Sequence, residues 1–587
     1  MILDKVNYPN DLKTLSINEM KILADEIRQL IIKKVNTTGG HMGPNLGIVE
    51  ATVAMHYVFN APFDKIVFDV SHQSYAHKIL TGRKEGFLNP DLYLKYTGYT
   101  APEESEYDLF KVGHTSTSVS LAAGLSKARD LKNENYNVIA LIGDGSLSGG
   151  EAYEGLNNAA ALNSGIIIVV NDNDMSIAEN HGGLYKNLKE LRQSKGKSEN
   201  NFFKALGFDY FYVDDGNNIE SLIETFKKVK DINHPVIVHI KTLKGKGLKL
   251  AEENKEAFHW IVPNGIENFN KQVKCEESYT SITVDYLLNK TKNDPLVAVI
   301  NAATPGVFGF NKNFRDTLGK QYIDAGIAEE HAVAAASAMA KDGAKPVFTV
   351  MSSFVQRTYD QLSQDLALNN SPLTVLVYWG GISEADATHL CIFDMPLISN
   401  IPNIRCLAPT NKEEYLNILD FSIEQKERPI VIRVPSTPLK STGEIDNWDY
   451  SKVKYKTVKK GSDVAILASG NFYGLGVEVY KELKSKGINP TLINPVFISE
   501  IDKETLNNLK PGHKLVITLE DGIIEGGFGQ KIAGFYGNSD LKVLNYGANK
   551  EFTDRVPLNI LYEKYRLKKE LITEDTIKVL DALSNPV

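Results

Sequence analysis

The stretch IIIVVNDNDMSIAEN, Ile166 to Asn180, sets five consecutive β-branched residues directly against amides and carboxylates. A continuous apolar run of this kind reads as a strand buried on both faces, as in a parallel sheet covered by helices. A surface strand would alternate apolar and polar residues, and an ordinary turn would more often use Gly or Pro. Four successive oxygen-bearing side chains, Asn171 to Asp174, mark instead a strand end that holds something.

A second stretch, LIGDGSLSGGEAYEGLNNAA (141–160), ends a buried strand in Gly143-Asp144-Gly145 and runs into a helix. The glycines let the backbone approach a ligand closely, and the free N–H groups of a helix start suit a phosphate. An aspartate between them repels a bare phosphate but accepts a divalent cation bridging to it. Asp144 and Asn173 lie 29 positions apart, one strand–helix–strand unit. Neighbouring parallel strands would bring both to the same sheet edge, beyond the carboxyl ends where open α/β sheets bind ligands. Hard oxygen donors of this kind suit Mg²⁺ or Ca²⁺.

Working outward, short β-branched runs alternate with longer helical patterns, the signature of doubly wound α/β domains. A first block takes in KIVFDV (65–70), VIALIG (138–143), IIIVV (166–170) and PVIVHIKT (235–242). A second takes in LVAVIN (296–301), PVFTVM (346–351), LTVLVYW (373–379) and PIVIRV (429–434), and a third DVAILASG (463–470), NPTLINP (489–495) and HKLVITLE (513–520). The expected division is residues 1–265, a polar linker at 266–279, 280–445 and 446–587. A length of 587 residues is too great for one core. The composition, 42% hydrophobic and 24% charged, excludes disordered and fibrous classes. A net charge of −8 disfavours nucleic acid as a partner. Cys275, Cys391 and Cys406 are scattered and odd in number, as expected of reduced thiols in a cytoplasmic protein. Ser16-Ile-Asn-Glu19 reads as a capping box opening an amphipathic helix, not a signal peptide. No apolar run approaches the roughly 18 residues of a membrane span, so no membrane partner is expected.

The two strand ends occur with longer phrases: GGHMGPNLGIVEATVAMHYVF (39–59), DVSHQSYAHKILTGR (69–83), ESEYDLFKVGHTSTSVSLAAGLSKARD (104–130), GIAEEHAVAAASAMA (326–340), SSFVQRTYDQ (352–361) and IFDMPLISNIPNI (392–404). On these the chain resembles the 1-deoxy-D-xylulose-5-phosphate synthase family of transketolase-like thiamine-diphosphate enzymes, from near its start to near its end. The resemblance implies a diphosphate-binding domain, a pyrimidine-binding domain and a transketolase-type C-terminal domain. It also implies a homodimer, thiamine diphosphate and Mg²⁺ as cofactors, and a place in isoprenoid and thiamine biosynthesis. Position by position, Asp144, Asn173 and the carbonyl of Met175 would hold the metal. His72, Gly113-His114-Thr115, Gly145, Ser146 and Asn173 would hold the cofactor, with Phe354 against its aminopyrimidine. Glu329 would share a proton with that ring and so activate the thiazolium. His41, His259 and His389 with Asp386 would move protons while pyruvate, losing CO₂, condenses with an aldehyde.

The departures fall on the acceptor side. Where the family supplies arginines this chain has Pro102, Trp379 and Ser436, and Leu248 stands where an aromatic residue is usual. Arg357, Arg433 and Lys440 remain as possible anion contacts, and Trp379 could wall an apolar or sugar-stacking pocket. The alternatives are transketolase-type ketol transfer, a different and unphosphorylated acceptor, an acyl-transferring 2-oxo-acid dehydrogenase component, or a non-catalytic paralogue. Two segments stay open: 182–208, a solvated helix or a lid, and GGFG (526–529), an anion loop or a packing element.

Overall fold

The computed structural model describes residues 1–271 and 276–584, and it divides into two compact units. The first is Met1–Lys274 with Gly326–Ala328, and the second is Cys275–Ala325 with Glu329–Val587. Cys275 and part of the expected linker lie outside the described residues. Among the described residues no helix is long and apolar enough to cross a membrane.

The first unit is built on a five-stranded sheet in the order Lys65–Phe68, Val138–Gly143, Ile166–Asp172, Pro235–Lys241, Asp209–Val213. Every pairing is parallel. Because side chains alternate along a strand, the β-branched runs feed two cores at once. Ile139, Leu141, Ile167 and Val169 face one, with Leu23, Ile27, Val53 and Phe226 from helices on that side. Val138, Ala140, Ile142, Ile168 and Val170 face the other, with Val119, Leu156 and Leu188. The first long helix, Ile17–Thr38, starts where the capping box placed it: Ser16 accepts from the Glu19 N–H, and the Glu19 side chain accepts from the Ser16 N–H.

The second unit carries two sheets. One is six-stranded and all parallel, in the order Arg405–Leu407, Ile430–Arg433, Thr374–Tyr378, Lys345–Met351, Val297–Asn301, Tyr322–Asp324. The other runs Lys456–Lys459, Thr491–Asn494, Asp463–Ala468, His513–Ile523, Lys542–Ala548, with only its first edge pairing antiparallel. The doubly wound α/β class therefore holds for all three sheets.

The segment 182–208, left open between a solvated helix and loop and a lid, is helical and partly buried. It forms helices Gly183–Gln193 and Phe202–Leu206, which bury Tyr185, Leu188, Leu191 and Phe203 against the first unit's own core. GGFG also resolves. The helix Phe528–Tyr536 begins there, but the buried Glu520 carboxylate already accepts from the N–H groups of Phe528 and Gly529. The acceptor at that helix start is the protein's own side chain, whose carboxyl burial raises to about 7.

Candidate active site

Val138–Gly143 and Ile166–Asp172 are direct neighbours, with Gly143 opposite Asn171 and the Asp144 N–H donating to the Asn171 carbonyl at 3.0 Å. Asp144 and the Asn171–Asp174 run thus leave one sheet edge together. The four polar side chains divide by role. Asn171 is structural: it donates to Gln73 and accepts from the Thr242 hydroxyl at 2.6 Å. Asp172 is buried, accepting from both Arg192 at 2.7 Å and His239 at 2.9 Å, and Asp174 pairs with the same Arg192. Asn173 is different: its Oδ1 is buried with no hydrogen-bond partner among the described residues. An acceptor left bare in this way fits a ligand that brings positive charge.

Asp144 stands beside it, buried, with Oδ2 accepting from the Met175 N–H at 3.0 Å and from Asn180 at 2.8 Å. Burial first, and the Asp172 charge second, push its carboxyl up to about 7. Two anions in a dry edge are stable only with compensation; Arg192 supplies it for Asp172, while the hydrogen-bond partners of Asp144 are neutral N–H donors. Among the described residues no cluster of three or more His, Cys, Asp or Glu forms a metal site, so a cation here would rest on one carboxylate and neutral oxygens. That donor set suits Mg²⁺. Gly145 is required by the same packing: a Cβ there would lie 2.8 Å from the Ser176 hydroxyl.

The helix Gly183–Gln193 fixes this edge from behind. The Tyr185 hydroxyl lies 3.2 Å from the Asp144 carbonyl and 3.1 Å from that of Gly145, and Arg192 grips Asp172 and Asp174. Sequence reading missed both residues, as well as two others. Asn45 donates to the carbonyls of His41 and His72 at 2.9 and 2.7 Å, so one amide sets two candidate histidines. Lys244 is buried, donates to the Ser176 carbonyl at 2.6 Å and sits 3.2 Å from His259 Nδ1, and burial lowers its pKa to about 7. The phrases GGHMGPNLG and KTLKGKGL carry these residues, but nothing in them marks an amide or lysine as buried.

His41, His72 and His259 come together, with ring centroids 4.9, 5.6 and 5.4 Å apart pairwise. The His41 and Trp260 backbones pair in a two-residue antiparallel ribbon, which sets His41 beside the preceding residue, His259. Desolvation, then the nearby Lys244, hold His259 well below the usual histidine range, so it is a neutral base at pH 7. Ahead of His72, Val70 and Ser71 both adopt left-handed φ, of 56° and 63°. A β-branched residue there is strained, a cost found mostly at functional turns. The Gly113-His114-Thr115 turn is held through its successor: the N–H groups of Ser116 and Ser118 donate to Asp69, and the Ser116 hydroxyl donates to the Ser146 carbonyl at 2.8 Å.

In the second unit Glu329 opens the helix Glu329–Lys341 and is buried. Its Oε2 has no hydrogen-bond partner among the described residues, although Arg357 lies 3.8 Å away. Burial raises its carboxyl to about 7 against the pull of Arg357, so it holds or yields a proton near neutrality. Phe354 lies on the short helix Ser352–Val355 with its ring 5.8 Å from that of His389. Asp386 and His389 bracket one 3-10 turn, the His389 N–H donating to the Asp386 carbonyl at 2.9 Å. Desolvation lowers His389 to about 4.

Arg433 cannot serve as an anion contact. It is buried, bonded through Nε to Asp394 at 2.7 Å and through Nη1 to Asp521, and packed so closely that a Cβ at Gly380 would strike it. Ser436 donates to the Gly380 carbonyl and Asn471 binds Asp521 at 2.6 Å, so this corner is uncharged or acidic. Trp379 is half exposed in a left-handed backbone, φ 63°. Lys440 supplies a carbonyl to the Lys412 N–H.

The sequence matches the family model described as 1-deoxy-D-xylulose-5-phosphate synthase over residues 3–199 and 194–242. It matches the transketolase pyrimidine binding domain over 279–440 and the transketolase C-terminal domain over 453–572. The 1-deoxy-D-xylulose-5-phosphate synthase of Clostridium beijerinckii is 38% identical across 99% of this chain and 100% of its own length. That of Dictyoglomus turgidum is 39% identical across 99% of both chains. With 38 and 39% identity to these synthases over 99% of its length, the chain belongs to the 1-deoxy-D-xylulose-5-phosphate synthase family.

Proposed function

We propose that this chain is a thiamine-diphosphate- and Mg²⁺-dependent transferase that condenses pyruvate, with loss of CO₂, with an aldehyde, as its family members' name implies. The observation that carries this reading is the bare, buried Oδ1 of Asn173 beside Asp144 at one sheet edge. Asp144, Asn173 and the Met175 carbonyl would hold the cation, and Gly145, Ser146, His72 and the Gly113–Thr115 turn the diphosphate. Glu329 would hold and release a proton at the pyrimidine ring, Phe354 would face that ring, and the bound cofactor would supply the electron sink for decarboxylation. His259 stays neutral and so can accept a proton, His41 lies against it, and His389 with Asp386 would serve the same end in the second unit. The protein works as a homodimer in the cytoplasm, by likeness to its family.

A second reading concerns the acceptor. Arginine forks grip a phosphate bidentately; Trp379, Ser436 and Pro102 supply none, Arg433 is neutralised by Asp394 and Asp521, and of the cations the sequence offered Arg357 and Lys440 are left. Trp379, Ser436 and Pro102 favour an aldehyde without a phosphate. Supplying labelled pyruvate with glyceraldehyde or glyceraldehyde 3-phosphate, and identifying the product and CO₂, tests both readings. No CO₂ release and no ketose with any aldehyde overturns the first. A kcat/KM more than about tenfold higher for the phosphorylated aldehyde, about 1.4 kcal/mol in transition-state binding, overturns the second and leaves the first standing.

A further inference from the structure

The loop Ile382–Leu390 carries Asp386 and His389, and in sequence it follows a strand of the six-stranded sheet. In space it belongs to the five-stranded one. Its base is closed by the Gly381 N–H donating to the Cys391 carbonyl at 2.8 Å. Leu390 and Ile392 are buried in the five-stranded sheet's own core with Val464, Ile466, Leu519 and Tyr546, and Ile382 and Ala385 pack against that cluster. The tip is grasped from residues 554–558. Asp554 Oδ1 accepts from the Ala387 N–H at 3.0 Å, the Arg555 N–H donates to the Ala385 carbonyl at 3.0 Å, and the Leu558 N–H donates to Glu384 Oε1 at 2.7 Å. Arg555 Nε lies 3.6 Å from Asp386 Oδ1.

We infer that the Asp554–Leu558 loop of the C-terminal sheet is the clamp that positions Asp386 and His389, which gives the third domain a part in the reaction. The inference rests on the proposed carboligase reading. The loop it holds has no ladder and only one turn of 3-10 helix, so its conformation is set by these tethers and not by local structure. Each tether meets a residue within three positions of Asp386 or His389, and Asp554 bonds the amide of the residue immediately after Asp386. Asp554 and Glu384 are positioning residues: they act through the backbone of this loop. Displacement of a reacting group by about an ångström can lower turnover by about two orders of magnitude.

The test uses the full chain with thiamine diphosphate and Mg²⁺. Asp554→Ala removes the acceptor for the Ala387 amide, Asp554→Asn keeps an oxygen there, and Glu384→Ala removes the tether to Leu558. Turnover, KM for pyruvate, cofactor affinity and melting temperature are measured for each. The expected result is a fall in kcat of about tenfold or more in Asp554→Ala and Glu384→Ala, with KM, cofactor affinity and melting temperature held. Asp554→Asn is expected to recover at least half of the parent's kcat. Parent-like kcat in Asp554→Ala overturns the clamp, as does a loss that follows cofactor affinity or melting temperature, or an equal loss in Asp554→Asn. Should Asp554→Ala not fold, Glu384→Ala decides alone. A parent chain inactive with every aldehyde refutes the carboligase reading instead. The clamp is then read from hydrogen exchange, where unchanged protection of the 385–389 amides in Glu384→Ala overturns it and faster exchange supports it.

Discussion

Replacing Glu329 by glutamine keeps the shape of the side chain and removes its charge. Burial holds this carboxyl at about 7 against an ordinary 4.5, with Arg357 pulling the other way. At about 1.36 kcal/mol per pKa unit, a difference of roughly 2.5 units corresponds to about 3 kcal/mol. The side chain is buried, so solvent screening takes little from that figure. A raised native pKa means that the folded chain keeps its proton when the unfolded chain has lost it. The penalty is absent below about pH 4.5, grows between 4.5 and 7 as the unfolded carboxyl ionises, and is complete above 7. Glutamine never ionises and never incurs it. The stability of E329Q relative to its parent should therefore rise by about 2–3 kcal/mol between pH 4.5 and pH 8. The assay is denaturant-dependent hydrogen exchange of helix Glu329–Lys341 in the cofactor-free protein at several pH values, because a chain of this size need not unfold in one step. In the same variant turnover should fall by at least about 100-fold, the usual worth of a positioned proton donor. A stability difference that is flat with pH would refute the buried-acid reasoning, whatever happens to activity.

Two further substitutions probe what surrounds the site. Tyr185→Phe removes the hydroxyl shared by the Asp144 and Gly145 carbonyls and should weaken Mg²⁺-supported cofactor binding about fivefold, near 1 kcal/mol for a lost hydrogen bond; calorimetric titration reads it. Arg433→Met leaves Asp394 and Asp521 buried without their cation and should destabilise the second unit by about 3–5 kcal/mol, as removal of one partner of a buried pair does. Denaturant unfolding of that unit checks it, and a change under about 1 kcal/mol would mean that the two carboxylates find water.

The core strands were legible because each is a β-branched run too apolar to be anything but buried, and Asp144 and Asn173 because one strand–helix–strand unit separates them. Apart from Lys65–Phe68, the edge strands were not. Asp209–Val213, Tyr322–Asp324 and Lys456–Lys459 are short, half-exposed or polar, and nothing in their pattern separates them from loops. Within Asn171–Asp174 the sequence showed a polar strand end but not which oxygen stays bare. That depends on Arg192, which is 20 positions away and meets Asp172 only once the helix is packed. Arg433 looked available for the same reason, since Asp394 and Asp521 stand 39 and 88 positions away. GGFG reads as a packing element sooner than an anion loop, and its N–H groups are in fact taken by the buried Glu520 carboxyl. Partners supplied by tertiary contact are what a motif leaves out.

The most direct test of the account is titration of the purified full chain with thiamine diphosphate, with and without Mg²⁺, alongside Asp144→Ala and Asn173→Ala. The account predicts binding by the parent that needs the cation, and the loss of that dependence together with most of the affinity in both variants. Cofactor binding by the parent that is equally tight in a chelator, or variants that match it, would contradict the claim that this sheet edge holds the metal.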